Sequence, residues 1–212
     1  MNLLSTLLLV GGRAIINMSK KEMNRCPWGT KDPVMLKYHD EEWGVHVSDD
    51  KKLFEFLVLE GAQAGLSWLT ILKRRDGYRK AFANFDVRKV AKFSEKKIEK
   101  LLQDPGIIRN RLKVRSAVHN AKLFMEIQRE FGSFYEYSMQ FVGGEPKINK
   151  RKKMSDYPAT TKESDSFSQD LKQRGFKFVG STIVYAHMQA CGMVNDHLTS
   201  CFRYTEINNS FL

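Results

Sequence analysis

Cysteine and histidine are scarce in this chain, with three cysteines and five histidines in 212 residues, and all of them but His119 lie toward its two ends. Cys26 and His39 lie near the start, and His197-Leu-Thr-Ser-Cys201 lies near the end. A His and a Cys four residues apart fall on one face of a helix or helical turn, so both can reach a common ion. Zn²⁺ favours a tetrahedral set of thiolate and imidazole ligands, and a closed set of four is structural rather than catalytic. If Cys26, His39, His197 and Cys201 hold one ion, the fold must tie the chain ends together, and the chemistry lies elsewhere. His187 and Cys191 are also four apart, so spacing leaves a rival pair open. They sit in an apolar segment, Tyr185-Ala-His187-Met-Gln-Ala-Cys191, where a cysteine is commonly a small buried hydrophobe. Three cysteines are too sparse for a disulfide framework and leave one unpaired.

The ligand set needs a scaffold, and the apolar pattern predicts helices. Ser48-Asp49-Asp50 caps a segment with an inward stripe at Leu53, Phe56, Leu57 and Glu60. A helix is expected from Ile71 to Phe85, broken at Gly77. Another is expected from Ser94 to Leu102, stopping before the turn Asp104-Pro105-Gly106. Ile107 to Phe131 carries Ile108, Leu112, Val118, Ala121, Phe124, Ile127 and Phe131 on its inner side, with Gly132 as its stop. Residues 143–158 form a polar, basic connection. Two helices follow, Ser164–Arg174 and Ser181–Cys191. With no strand alternation and no internal repeat, the fold class is all-α. Hydrophobic residues make up 42% of the chain, enough for one domain or two close lobes.

The net charge of +11 favours an anionic partner, nucleic acid before membrane surface. No apolar run approaches the roughly 20 residues that span a bilayer. The apolar stretch Leu3 to Val10 is short and has no Lys or Arg before it, which makes a poor signal peptide. Residues 1–22 are therefore expected to be an extension that is disordered or not translated. The domain itself is expected over 23–205 and a tail over 206–212, in a cytoplasmic monomer.

Two further features bear on function. The segment Gly175-Phe-Lys-Phe-Val-Gly180 joins the last two helices like a helix-hairpin-helix. Two glycines there let backbone N–H groups and a helix N-terminus approach a DNA phosphate, a contact that carries no sequence information. The basic run from Pro105 to Arg115 adds phosphate-binding capacity. Glu60 continues the inward stripe of its helix. A buried carboxylate without a partner costs several kcal/mol or takes a raised pKa, so its helix holds it for a ligand, for catalysis or for a structural partner such as an arginine. Gly61 and Gly65 leave room for a close approach to the backbone, and Trp28, Tyr38, Trp43 and Trp68 supply aromatic faces. That combination suits a flat, electron-poor, hydrogen-bonding ligand such as a base.

The motifs Arg25-Cys26-Pro-Trp28, Tyr38-His39-Asp40-Glu41-Glu42-Trp43-Gly44, Leu59-Glu60-Gly61 with Gln63-Ala64-Gly65-Leu66-Ser67-Trp68, Gly175-Phe-Lys-Phe-Val-Gly180 and Val194-Asn-Asp196-His197 together resemble the DNA-3-methyladenine glycosylase I family. The likeness spans about residues 23–205 and starts at Met23. It implies a helix-hairpin-helix DNA glycosylase fold, with a structural Zn²⁺ on Cys26, His39, His197 and Cys201 joining the N- and C-terminal segments. It implies monofunctional release of 3-methyladenine from double-stranded DNA containing alkylated purines. By the same resemblance Glu60 and Tyr38 hydrogen-bond the extruded base, Trp28 and Trp68 stack on it, Leu66 fills the vacated gap, and Gly175, Lys177 and Gly180 meet the DNA backbone. Asp196 adjoins a zinc ligand and is not expected to be a catalytic acid. Two residues depart from the pattern: Ala62 stands where a glutamine is usual, and His187 where another aromatic is expected.

Overall fold

The computed structural model describes residues 9–10, 13–14 and 23–210. The extension expected over 1–22 lies outside the described residues, apart from a short antiparallel pairing of Leu9–Val10 with Arg13–Ala14.

The described chain is mostly helical. In order, the helices are α1 (Pro33–Glu41), α2 (Asp50–Gln63), α3 (Trp68–Leu72), α4 (Arg75–Ala81), α5 (Val87–Val90), α6 (Glu95–Leu101), α7 (Arg111–Phe131), α8 (Phe134–Met139), α9 (Lys162–Gln173), α10 (Ser181–Ala190) and α11 (Phe202–Ser210). Helix starts follow the local chemistry. Side chains of Asp49, Ser94 and Asn110 each accept a hydrogen bond from a backbone N–H in the first turn of the helix they open, which satisfies donors the helix cannot.

α2 is the central element. Leu53 through Leu59 are buried all the way round, as expected for a helix enclosed on every side. It packs against α3, α7, α8 and α10. Phe54 meets the edge of Phe124, which stacks on Phe134 at 4.2 Å between ring centroids. Asp50, in the first turn of α2, accepts from the backbone N–H groups of Phe134 and Tyr135 and so fastens the start of α8 to α2. The two chain ends also meet. Phe202 N–H donates to the Asn24 carbonyl, and Lys147–Ile148 pairs in parallel with Val194–Asn195.

Several expectations are corrected here. Gly77 does not break its helix; the break falls at Lys73–Arg74, between α3 and α4. A Cβ at Gly77 would lie 2.1 Å from the Gly106 carbonyl oxygen, so the glycine permits a close backbone crossing. α7 begins at Arg111 rather than Ile107, and Leu112, expected inward, is 69% exposed. The expected boundary between 205 and 206 falls inside α11, whose Ile207 is buried.

Candidate metal centre and adjoining pocket

The four residues singled out at the chain ends converge. The ligand atoms of Cys26, His39, His197 and Cys201 all lie within 4.8 Å of one another, and all four side chains are buried. Cys201 Sγ is 3.5 Å from His39 Nε2 and 3.5 Å from His197 Nδ1, and Cys26 Sγ is 3.7 Å from His197 Nδ1. Tetrahedral Zn²⁺ with ordinary bond lengths sets S and N about 3.6 Å apart, so the spacing fits such an ion.

The surroundings fit as well. His39 Nδ1 donates to Asp40 at 2.8 Å, and Asp40 is gripped by Arg25 through Nε at 3.0 Å and Nη2 at 2.9 Å. His197 Nε2 donates to the Trp43 carbonyl at 2.9 Å. Each imidazole therefore turns its remaining lone pair toward the cysteines, the arrangement that orients metal-bound histidines. Leu198 N–H points at Cys26 Sγ. Hydrogen bonding from Cys26 pulls the Cys201 thiol well below its ordinary value, while the same contact and burial push Cys26 up. Gly29 makes the packing possible, because a Cβ there would sit 2.7 Å from His39 Cβ.

The rival pair goes elsewhere. His187 Nδ1 lies 2.8 Å from Glu60 Oε2, and its ring nitrogens are 3.7 and 3.8 Å from Cys191 Sγ. All three side chains are buried.

One turn of α1 links the metal set to a cleft of about 450 Å³. Tyr38, next to His39, lines it, as do Trp28, Trp43, Glu60, Gln63 and Trp68; Tyr185 and Gln189 close it from α10. Tyr38 and Trp68 are 5.5 Å apart between ring centroids and tilted, while Trp28 meets Trp43 edge-on at 4.8 Å. The cleft thus joins aromatic faces from three parts of the chain. Two polar atoms in its wall have no hydrogen-bond partner: Glu60 Oε1 and Trp68 Nε1. Burial raises the Glu60 pKa, and His187 partly offsets it. Burial and then the charge of Glu60 push the Tyr38 phenol well above its ordinary value, so Tyr38 stays neutral.

Asp196 is fully engaged. Its oxygens accept from Asn149 at 2.8 Å, Arg151 at 3.1 Å, Gln189 at 2.7 Å and the Tyr185 hydroxyl. It braces α10 against the 149–151 segment and has no lone pair spare for the cleft.

The helix–turn–helix between α9 and α10 forms as expected. Gly175 takes a left-handed φ of 94°, and Gly180 precedes the first turn of α10. Asn120 of α7 clamps the turn, donating to the Lys177 carbonyl at 2.8 Å and accepting from its N–H at 2.9 Å. Lys177 itself is exposed. Gly61 does not face open space; the nearest neighbour to a Cβ there is Phe178 of this turn, at 3.6 Å. Leu66 is 39% exposed on the α2–α3 connection. The basic run before and within α7 is largely committed internally: Arg111 pairs with Glu99, Arg115 with Glu95, and Lys113 caps the end of α2 through the Ala62 and Ala64 carbonyls. Arg109 remains exposed on it.

Sequence reasoning missed His187 as the partner of Glu60, although a lone histidine in an apolar helix was the available signal. It also missed Tyr185 and Gln189 in the cleft wall, for which only the folded position of α10 provides evidence.

Comparison with known proteins adds an independent line. The family model described as methyladenine glycosylase matches residues 28–204. The DNA-3-methyladenine glycosylase 1 of Escherichia coli (strain K12) is 47% identical over 182 residues, covering 86% of this chain and 97% of that protein. A crystal structure of a 3-methyladenine DNA glycosylase I superposes with a TM-score of 0.82 at 47% identity, covering 84% of this chain and 98% of the other. A variant of such an enzyme in complex with 3-methyladenine gives a TM-score of 0.82 at 40% identity, with 85% and 97% covered.

Proposed function

The chain belongs to the methyladenine glycosylase family, and from that premise we propose that it removes 3-methyladenine from alkylated double-stranded DNA. It hydrolyses the N-glycosidic bond and leaves an abasic site, the first step of base excision repair. The observation that carries the assignment to this cleft is Glu60 Oε1, a buried carboxylate oxygen without a partner in an aromatic wall. An orphaned acceptor of that kind is costly unless a ligand satisfies it.

The extruded base enters between Trp28 and Trp68, and Glu60 and Tyr38 hydrogen-bond its edge. Aromatic faces suit a purine carrying positive charge. Methylation at N3 has already made the base a good leaving group, so strong protonation is not needed. Water attacks C1′ and loses a proton to solvent, while the electrons of the C1′–N bond pass to the base and discharge it. Asp196, with its lone pairs taken up, is left as a structural residue, and among the described residues lining the cleft there is no lysine to act as a Schiff-base nucleophile.

In this reading the α9–α10 turn is a helix-hairpin-helix. Gly175, Lys177 and Gly180 meet a DNA phosphate there, and Leu66 fills the gap left by the flipped nucleotide. Cys26, His39, His197 and Cys201 hold a structural Zn²⁺, which supplies a tether between the chain ends and no open coordination position. Among the described residues no helix is long and apolar enough to cross a membrane, and the support for a cytoplasmic location is the DNA substrate proposed above.

The test is direct. Zinc-loaded protein incubated with methylated duplex DNA should release 3-methyladenine, detected chromatographically, and leave sites that break only on alkaline treatment. An absence of released base would overturn the assignment, and strand breaks without alkali would overturn its monofunctional character.

A further inference from the structure

The pairing of Glu60 with His187 has a bearing on how the cleft reads its ligand. The imidazole lies in an aromatic nest, with the rings of Phe134 and Phe167 at 6.4 and 6.5 Å between centroids. Its polar neighbours are Glu60 Oε2 at 2.8 Å and Cys191 Sγ. Glu60 in turn has one oxygen on His187 and the other without a partner at the cleft. The two oxygens are therefore unequal, and the inequality is imposed by His187.

We propose that His187 is a positioning residue for base recognition: it holds Glu60 Oε2 and thereby presents Oε1 as the single acceptor for the extruded base. The proposal rests on the function proposed above for the same cleft. A carboxylate free to rotate would offer either oxygen and lose orientation on binding. One clamped from behind is preorganised, and a buried hydrogen-bonding group rejects ligands that cannot match it.

The clamp also sets charge. Burial lowers the His187 pKa, but Cys191 and Glu60 act the other way and leave it well above the ordinary value. Burial pushes the Cys191 thiol up. Tyr38 from α1, kept neutral by burial, is coupled to this cluster, and the charge of Lys52 from α2, which is salt-bridged to Glu42 and Glu55, reaches Cys191. From α8 and α9 the rings of Phe134 and Phe167 face the imidazole. His187 thus lowers the Glu60 pKa against the burial that raises it. Without His187, burial acts on Glu60 alone, and the acid keeps its proton to higher pH.

The experiment compares wild type, His187→Phe, His187→Gln and Glu60→Gln, and the double variant carrying Glu60→Gln with His187→Phe. Phenylalanine suits the aromatic nest, and glutamine restores a donor without charge. Base release from methylated duplex is measured from pH 5 to 9. His187→Phe should move the acid limb up by at least about one pH unit, a tenfold loss one unit below its midpoint, with rates converging toward wild type at high pH. His187→Gln should lie between. In the Glu60→Gln background, His187→Phe should change release less than about twofold, because the residue acts through Glu60. A uniform loss at all pH values, or an undiminished effect in that background, would mean a merely structural histidine. A ¹³C titration of the Glu60 carboxyl in free wild type and His187→Phe gives a readout independent of turnover. An unchanged titration would overturn the proposal even if no base is released, whereas failure of wild type alone to release base refutes only the function.

Discussion

The metal set and the cleft are two buried polar clusters one residue apart on α1, and they are finished differently. Around Cys26, His39, His197 and Cys201, each histidine nitrogen that faces away from the cluster has a partner in Asp40 or the Trp43 carbonyl. The remaining donor atoms face one another. In the cleft, Glu60 Oε1 and Trp68 Nε1 are buried without partners. One cluster has donor atoms placed to close around an ion, and the other leaves two polar atoms for something that enters. The difference teaches that a shared feature, buried titratable groups, separates into structure and function once each polar atom is followed to its partner.

The comparison breaks most visibly at the metal set. Cys201→Ser should abolish stoichiometric zinc and cost about 5 kcal/mol, a fall of roughly 10–20 °C in Tm; elemental analysis and calorimetry check both. A drop of only a degree or two would mean that the cluster does not clasp the ends.

A third cluster, charged but paired within the chain, serves as a control. Arg75 binds Glu42 and Glu55, and although burial alone would raise both acids, the arginine outweighs it and holds them below their ordinary values. Depressed carboxylate pKa values stabilise the fold above the ordinary carboxylate range, and that contribution is lost as pH falls through the depressed values. Arg75→Met should therefore cost about 3 kcal/mol at pH 7, with the gap to wild type narrowing by pH 3 in thermal melts. Base release, scaled to folded protein, should be unchanged.

Smaller effects sharpen the cleft side. Trp68→Leu should remove about 1–2 kcal/mol of stacking, seen as a rise in KM of about tenfold with zinc content intact. Lys177→Ala should weaken binding to any duplex by less than about 1 kcal/mol and reduce the salt dependence by about one phosphate contact, measured by titration across ionic strength.

The helical class and the inward position of Glu60 were legible because each rests on spacing along one helix, whereas spacing left the His187 and Cys191 pair open beside Cys26, His39, His197 and Cys201, and only the family resemblance chose between them. Gly77 was misread because a glycine in a helix looks the same from sequence whether it breaks the chain or admits another backbone, here that of Gly106. Leu112 was misread because α7 opens beyond the core, and one exposed leucine is cheap at a helix start. The link from Glu60 to His187 spans 127 positions, and no local pattern records which residue of α10 will face α2.

The central claim is that the clasp holds the fold while Glu60 reads the base. It is tested most directly by base release from Glu60→Gln, measured beside its zinc content and Tm. Glu60→Gln should lose at least tenfold in 3-methyladenine release, from the loss of a charged hydrogen bond of about 1.5–3 kcal/mol, with zinc stoichiometry and Tm retained. Release at the wild-type rate, or a loss of release together with zinc, would contradict it.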